Sequence, residues 1–212
     1  MEKLLNTEVE NQLKDVFSGM TKDITMVLFT SQDNCDSCEP TQQLLSEVAA
    51  LSPRINLVEK DLNSEEAKTY EIERVPAFVM LNDKGEDLGV KFNGIPAGHE
   101  INSFVSAIME VGGQESELPA EIMERIAKIN KPVNIKVFVT LSCPHCPGAV
   151  QKAHKMAMLN KNVVGEMIEA QTFYELSEKF NVSGVPKIVI NDKLELLGNQ
   201  PIEEFLKQIE SL

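Results

Sequence analysis

The sequence contains no tryptophan, only two tyrosines and three histidines, and comparatively few cations. Lys and Arg total 20 against 33 Asp and Glu, so the formal net charge is −13. A nucleic-acid surface needs a basic face that displaces counterions, and an anionic membrane attracts the same kind of face. The composition therefore argues against nucleic-acid and membrane partners and favours another protein or a small thiol.

Long hydrophobic runs are also absent. No stretch approaches the ~18 apolar residues of a membrane span, and the first residues, 1–6, lack the apolar core of a signal peptide. We therefore expect a soluble cytoplasmic protein, in a compartment that keeps thiols mostly reduced. A chain of 212 residues, 42% of them hydrophobic, is long enough for two packed domains.

Cysteine is scarce as well, which makes its distribution informative. The four cysteines form two Cys-x-x-Cys pairs, Cys35/Cys38 and Cys143/Cys146. Structural disulfides are rare in a reducing compartment. Two tight pairs therefore indicate redox chemistry or metal binding.

The two pairs occupy the same place in a pattern that the chain repeats. An apolar, β-branched run precedes each pair and a helical pattern follows it. A Val-Pro dipeptide, Val75-Pro76 or Val185-Pro186, then comes at a nearly equal distance from the second cysteine. Each half closes with a polar turn, a short strand and an amphipathic helix, which we expect at about Gly98–Val111 and Ile202–Ile209.

This repeat predicts an α/β fold made of two β-α-β-α-β-β-α units, each with a mixed sheet covered by helices. The polar stretch Gly112–Glu117 suggests a domain boundary, giving units 1–113 and 114–212. Two further helices are expected ahead of the repeats, at Glu8–Met20 and about Leu118–Ile129.

A Cys-x-x-Cys pair between a strand and a helix is suited to disulfide exchange. The thiolate is the nucleophile, and the unpaired N–H groups and positive dipole at a helix N-terminus stabilise it. A second cysteine three residues later can attack the mixed disulfide and release the reduced partner. We therefore predict Cys35 and Cys143 as attacking cysteines, and Cys38 and Cys146 as resolving ones.

The residues between the cysteines differ in the two pairs. Pro144 rigidifies the second turn, and His145 can place positive charge or a donor near the Cys143 sulfur. Asp36 stands in the first pair, where a carboxylate disfavours a thiolate. The second pair is therefore predicted to be the more reactive.

The two Val-Pro dipeptides are the second predicted part of each site. A cis X-Pro bond would turn a backbone N–H and C=O of the strand start towards the cysteines. An extended substrate segment could then pair with Val75-Pro76 or Val185-Pro186 as an added strand. The alternative is that both prolines merely begin edge strands.

Other interpretations of the same residues stay open at this stage. Two Cys-x-x-Cys pairs could form a zinc site, although such pairs are usually ~15–20 residues apart, and we predict no metal. Asp61 and Glu169 end the second strand of each unit and either accept a proton from the resolving cysteine or are ordinary solvated strand ends. His99 and His154 show no partner pattern, and the loop Gly94–Glu100 is assigned no chemistry.

Several segments resemble one known family. They are Cys143–Pro147, Ala153–Lys155, Gly165–Ala170, Val185–Ile190 and the loop Phe92–Glu100. They are similar to the tandem thioredoxin-fold protein disulfide oxidoreductases, also called glutaredoxin-like proteins, and to the N-terminal region of the flavoprotein component of alkyl hydroperoxide reductase. The resemblance covers essentially the whole chain.

The resemblance implies two thioredoxin-like units with disulfide reductase, oxidase or isomerase activity on protein disulfides. It also implies electrons from a thioredoxin-reductase-like flavoprotein and delivery to protein disulfides or a peroxiredoxin. In the peroxide-reductase relatives the first unit lacks its cysteine pair, which this chain keeps. No Gly-rich flavin fingerprint is present, so we expect a stand-alone oxidoreductase without a cofactor of its own.

Two alternative functions belong to other classes. The chain could be a folding helper or binding module in which only the second pair turns over, or an electron carrier dedicated to one peroxiredoxin. The sequence gives neither the direction of electron flow nor the oligomeric state. Removal of Cys35 and Cys38 together separates the binding module from a two-site enzyme.

Overall fold

A computed structural model describes residues 2–212, which group by their contacts into two compact units. The first unit comprises the residues up to Asp87, with Asn93–Ile95 and Ile108–Glu115. The second comprises Leu88–Phe92, Pro96–Ala107 and Ser116–Leu212. The boundary after residue 113 stays a prediction. By their contacts, two segments that precede it group with the second unit.

The first unit contains a three-stranded mixed sheet. Its elements are α1 (Thr7–Phe17), β1 (Ile24–Thr30), α2 (Cys38–Ala49), β2 (Ile55–Asp61), α3 (Glu65–Thr69) and β3 (Ala77–Leu81). The strand order is β2-β1-β3, with β1 parallel to β2 and antiparallel to β3. Met26, Leu28 and Phe29 of β1 are fully buried, because a central strand covered on both faces is apolar along its length.

Two elements follow whose residues divide between the units. Strand β4 (Asp87–Asn93) lies mostly in the second unit. A 3₁₀ turn (Gly98–Glu100) leads into α4 (Ile101–Val111), which belongs to the second unit as far as Ala107. The helix expected at Gly98–Val111 therefore forms, but its first three residues are 3₁₀ rather than α.

The second unit repeats the arrangement of the first around a larger sheet. Its remaining elements are α5 (Ala120–Ala127), β5 (Val133–Val139), α6 (Cys146–Leu159), β6 (Val163–Glu169), α7 (Tyr174–Lys179), β7 (Lys187–Ile190), β8 (Leu194–Leu197) and α8 (Ile202–Glu210). The strand order is β4-β6-β5-β7-β8, with β5 parallel to β6 and antiparallel to β7. The predicted fold class, two α/β units with mixed sheets and flanking helices, is confirmed.

Each cysteine-bearing helix follows a central strand of its unit, after a short loop. Strand β1 leads through a loop to α2, and β5 leads through a loop to α6. A packed core holds each strand; in the second unit it includes Phe138, Ile168 and Phe180. Among residues 2–212, no helix is long and apolar enough to cross a membrane.

Candidate redox active site

Each cysteine pair forms a disulfide at the start of a helix. The Cα atoms of Cys35 and Cys38 are 5.4 Å apart and those of Cys143 and Cys146 are 5.5 Å apart. Cys38 is the first residue of α2, and Cys146 is the first residue of α6. After reduction, the N-terminus of each helix stabilises a thiolate at this point.

The two cysteines of a pair differ in exposure. Cys35 is half-buried and Cys38 is buried. Cys143 retains 8% of its surface, whereas Cys146 retains none. A substrate therefore reaches the first cysteine of each pair more easily, which supports the predicted attacking roles of Cys35 and Cys143.

The charged surroundings of the two pairs are different. Asp33, Asp36 and Glu39 are exposed around the first pair. The first turn of α6 contains no acidic residue, and Pro144 and His145 are exposed beside Cys143. Because nearby carboxylates disfavour a thiolate, this contrast favours a more stable thiolate in the second pair.

A Val-Pro segment precedes strands β3 and β7. The Val75–Pro76 and Val185–Pro186 bonds are cis. The Gly94 N–H donates to the Pro76 carbonyl, and the Gly198 N–H donates to the Pro186 carbonyl, both at 2.9 Å. Within residues 2–212, the backbones of Val75 and Val185 form no hydrogen bond, so both can pair with an extended segment.

Asp61 and Glu169 close turns at the strand ends. The Glu169 carboxylate accepts hydrogen bonds from the Gln171 and Thr172 N–H groups and from the Thr172 hydroxyl, at 3.2, 2.7 and 2.6 Å. Asp61 accepts two from Asn63, at 2.8 and 3.0 Å. These contacts give both carboxylates a structural task.

Glu100 is a buried carboxyl group in the turn that precedes α4. Its side chain has no exposed surface, and one oxygen, Oε1, has no hydrogen-bond partner. The Ser103 hydroxyl donates to the other oxygen. Burial raises the pKa of Glu100 to about 7, and the Ser103 hydrogen bond partly opposes that rise.

The turn that carries Glu100 packs against the loop before Cys143. The His99 N–H donates to the Leu141 carbonyl at 2.9 Å. Gly98 approaches the same carbonyl so closely that a Cβ atom would lie 2.4 Å from its oxygen. The turn also contacts α6, so Glu100 belongs to a segment that packs on the loop before the second pair and on the helix after it.

His154 is a further buried titratable side chain of the second unit. Its Nε2 atom lies 3.1 Å from the Lys91 carbonyl, and its ring packs on Phe92 at 4.7 Å between centroids. Complete burial lowers the pKa of His154 to about 4. The sequence shows no partner pattern for His154, and the structure makes it a neutral packing residue of α6.

Within the described residues, no group of three or more His, Cys, Asp or Glu side chains is placed to hold a metal ion.

Comparison with known proteins places this geometry in a family. Residues 133–211 match the model of a thioredoxin domain. The solved alkyl hydroperoxide reductase component AhpF of Enterococcus faecalis is 31% identical, with a TM-score of 0.91 over 98% of this chain and 100% of that one. A protein disulfide oxidoreductase from Aeropyrum pernix is 29% identical, with a TM-score of 0.88 over 99% of this chain and 94% of that one.

The chain belongs to the tandem thioredoxin-fold disulfide oxidoreductases. The corresponding alkyl hydroperoxide reductase component of Staphylococcus aureus is 33% identical over 208 residues, which are 98% of this chain. These residues cover 38% of the Staphylococcus aureus protein. The chain therefore spans well under half the length of the curated relatives that it matches.

Glu100 is the residue of this tandem thioredoxin-fold oxidoreductase that the sequence patterns did not predict. The pattern of Gly94–Glu100 is that of a loop entering a helix, and no chemistry is predicted for it. One signal was present: Glu100 shares a helical face with Phe104, Ala107 and Val111, all of which are buried. An acid on an apolar face indicates a buried carboxyl group with a shifted pKa.

Proposed function

We propose that the chain catalyses dithiol–disulfide exchange on protein substrates and that the second pair carries most of the turnover. The observation that carries this proposal is the Cys143–Cys146 disulfide at the start of α6, whose first turn holds no acidic residue. The first pair, with Asp36 between its cysteines, is the slower site.

The reaction is a two-electron exchange. The Cys143 thiolate attacks one sulfur of a substrate disulfide, forming a mixed disulfide and releasing the other substrate sulfur as a thiolate, which takes up a proton. The Cys146 thiolate then attacks the Cys143 sulfur and releases the second substrate sulfur as a thiolate. The substrate disulfide is reduced to two thiols, and the Cys143/Cys146 dithiol is oxidised to a disulfide.

Glu100 is the proposed proton acceptor for Cys146. The buried Cys146 must lose its proton before it attacks, and a general base works best when its pKa lies near the operating pH. The carboxyl group of Glu100 has a pKa of about 7 and an unpartnered Oε1 atom. We propose this role for Glu100 rather than for Glu169, whose carboxylate oxygens are held by the turn that follows β6.

Val185 and Pro186 are the proposed substrate-binding residues of the second site, and Val75 and Pro76 those of the first. A valine backbone without a hydrogen bond can accept and donate to an extended segment, as an added strand does. Such pairing recognises the backbone around the substrate disulfide, so it tolerates many sequences. This suits an enzyme that acts on several proteins.

The relatives support a proposal for the physiological partners. The S. aureus relative is part of an alkyl hydroperoxide reductase, so we propose a peroxiredoxin as one electron acceptor and a thioredoxin-reductase-like flavoprotein as the reductant. The cytoplasm is the proposed location, because a reducing compartment keeps dithiols available.

A carrier dedicated to one peroxiredoxin is the second candidate function. The E. faecalis and S. aureus relatives, at 31% and 33% identity, are as similar to this chain as the A. pernix oxidoreductase, at 29%. Partner selectivity separates the two functions. A dedicated carrier would support peroxide reduction in a coupled assay but would leave unrelated disulfides such as insulin untouched.

The decisive experiment measures dithiothreitol-driven reduction of insulin by the wild type, Cys35→Ser and Cys143→Ser. We expect Cys143→Ser to lose most of the activity, by roughly 10-fold or more since a nucleophile is removed, and Cys35→Ser to keep most of it. Equal losses would contradict the unequal sites. Stoichiometric zinc in an inactive wild type would overturn the redox function.

Removal of Cys35 and Cys38 together tests the binding-module alternative. In a two-site enzyme the double variant loses part of its disulfide isomerase activity on a scrambled substrate. Full turnover and full isomerase activity in this variant would favour a first unit that only holds substrate.

A further inference from the structure

Lys152 is a half-buried residue of α6, the helix that begins at the second site. Asn199 connects it to that site: Asn199 follows Gly198, whose N–H donates to the Pro186 carbonyl. The Asn199 side chain packs on Gly148, where a Cβ atom would lie 2.4 Å from Nδ2. Asn199 therefore lies between the Val-Pro segment and the first turn of α6, and its Oδ1 accepts a hydrogen bond from the Lys152 ammonium at 2.5 Å.

The Lys152 ammonium has a neutral partner and no ion pair within the described residues. Glu203, at the start of α8, is the carboxylate that acts on it electrostatically, but the two form no salt bridge in this part of the chain. Partial burial of Lys152 lowers its pKa. Carboxylates are plentiful in this chain, whose net charge is −13, yet none within residues 2–212 forms a salt bridge with Lys152. The Lys152 ammonium can therefore bind a carboxylate of another molecule.

The first unit has an apolar set of residues at the matching positions. Counting from the second cysteine, Gly148 and Lys152 correspond to Pro40 and Leu44. Gly198 corresponds to Gly94, which makes the same bond to the Val-Pro segment, so Asn199 corresponds to Ile95. The polar pair Lys152 and Asn199 therefore occurs only at the second site. Exposed carboxylates, Asp33, Asp36 and Glu39, surround the first site instead.

We propose that Lys152, positioned by Asn199, binds a carboxylate that flanks the substrate disulfide, so that the second site selects acidic protein substrates. This inference rests on the exchange reaction proposed above and identifies the substrate class of its second site. The first site has apolar residues, Leu44 and Ile95, at the matching positions and exposed carboxylates around its cysteines. It therefore offers no such contact and disfavours acidic substrates.

The test compares three peptide disulfides that differ only in one residue beside the cysteine, which is Glu, Gln or Lys. Their reduction rates are measured with the full chain carrying Cys35→Ser and Cys38→Ser, so that only the second pair reacts. We expect the Glu peptide to react about 3- to 10-fold faster than the Gln peptide, the range of a partly desolvated charge pair. High salt should reduce this ratio.

Variants of Lys152 show whether this side chain causes the preference for the Glu peptide over the Gln peptide. K152M should bring the ratio of Glu to Gln rates close to one, K152R should retain it, and K152E should reverse it in favour of the Lys peptide. Lys161, which is exposed beyond the other end of α6, provides the matched control, and K161M should leave the ratio unchanged.

The two proposals fail in different ways. A chain that reduces none of the peptides contradicts the exchange reaction itself. A chain that reduces all three at one rate, or a K152M variant that keeps the full preference, overturns the role of Lys152 and leaves the exchange reaction standing.

Discussion

At the scale of single residues, burial shifts the pKa values of two side chains of the second unit in opposite directions. Burial raises the pKa of Glu100 to about 7, which favours the protonated, neutral carboxyl group. Burial lowers the pKa of His154 to about 4, which favours the neutral imidazole. At neutral pH His154 is therefore uncharged and Glu100 is about half protonated, because burial disfavours the charged form of each side chain. Only Glu100 titrates near neutral pH.

The Glu100→Gln variant should lose the pH dependence of the step in which Cys146 attacks the mixed disulfide. In the wild type, deprotonated Glu100 can accept the Cys146 proton, so turnover of the second site should rise as the pH passes about 7. Gln cannot accept a proton, so the variant should be slower, by roughly 10-fold or more above pH 7, with a flatter profile. Stopped-flow decay of the mixed disulfide between pH 5.5 and 8.5 measures this.

The stability of the same variant gives an independent readout. An unfolded glutamate ionises near pH 4.5 whereas folded Glu100 ionises at about 7, so the wild type loses stability as the pH rises between these values. E100Q should avoid this loss and unfold with a free energy up to roughly 3 kcal/mol higher at pH 8. The control E117Q, at an exposed position, should change neither property. An unaltered pH profile in E100Q would contradict the proton-acceptor role.

At the scale of secondary-structure elements, close backbone packing holds Glu100 in place. Gly98 adopts a φ of +56° and lies against the Leu141 carbonyl, so the turn can reach the loop before Cys143. A side chain at this position meets two obstacles: the left-handed backbone and the Leu141 oxygen. The element therefore depends on one glycine.

The Gly98→Ala variant should destabilise the protein and slow the second site. We expect a loss of about 2–4 kcal/mol in the free energy of unfolding, because the Cβ atom forces the turn away from Leu141 and the left-handed conformation is disfavoured. Urea unfolding and insulin reduction measure the two effects. Gly85→Ala is the matched control, since Gly85 has a φ of +75° with open space around it, and it should lose only about 1–2 kcal/mol. Equal losses would show that the contact with Leu141 contributes nothing.

The ends of the helices show which local details could be predicted from sequence. The pattern predicts α5 over Leu118–Ile129, but the helix begins at Ala120 because Pro119 occupies its N-cap in an extended conformation. Helix α1 was expected to reach Met20 and ends at Phe17, with Ser18 as its C-cap. Apolar periodicity predicted the long helices, whereas single capping residues such as Pro119 and Ser18 determined where they begin and end.

At the scale of the whole molecule, most of the fold could be predicted from the repeated pattern around the two cysteine pairs. The nearly equal spacing between each cysteine pair and its Val-Pro dipeptide predicted two similar α/β units and their central strands. It could not predict that residues 88–92 and 96–107 group with the second unit, because that grouping depends on contacts far apart in sequence. For the same reason the partners of Glu100 and Lys152 were not visible in the sequence.

Fragments of the chain should test this division. Residues 114–212 lack strand β4, which neighbours β6 in the sheet, and they lack Phe92, which packs on His154. We expect this fragment to unfold without cooperativity and to bind a hydrophobic dye, whereas residues 88–212 should melt cooperatively. Circular dichroism melting curves measure the difference. A cooperative melt of residues 114–212 at the temperature of the longer fragment would support the boundary after residue 113.

The origin of the turn at Gly98–Glu100 limits how such a gene can change over time. The turn is encoded at the end of the first sequence copy, yet its hydrogen bond goes to Leu141 of the second. Mutations that remove Cys35 and Cys38 leave the second site with all its parts, whereas a deletion that takes residues 98–100 removes the group proposed to receive its proton. A descendant could therefore lose the chemistry of its first copy long before it could lose that copy's final segment.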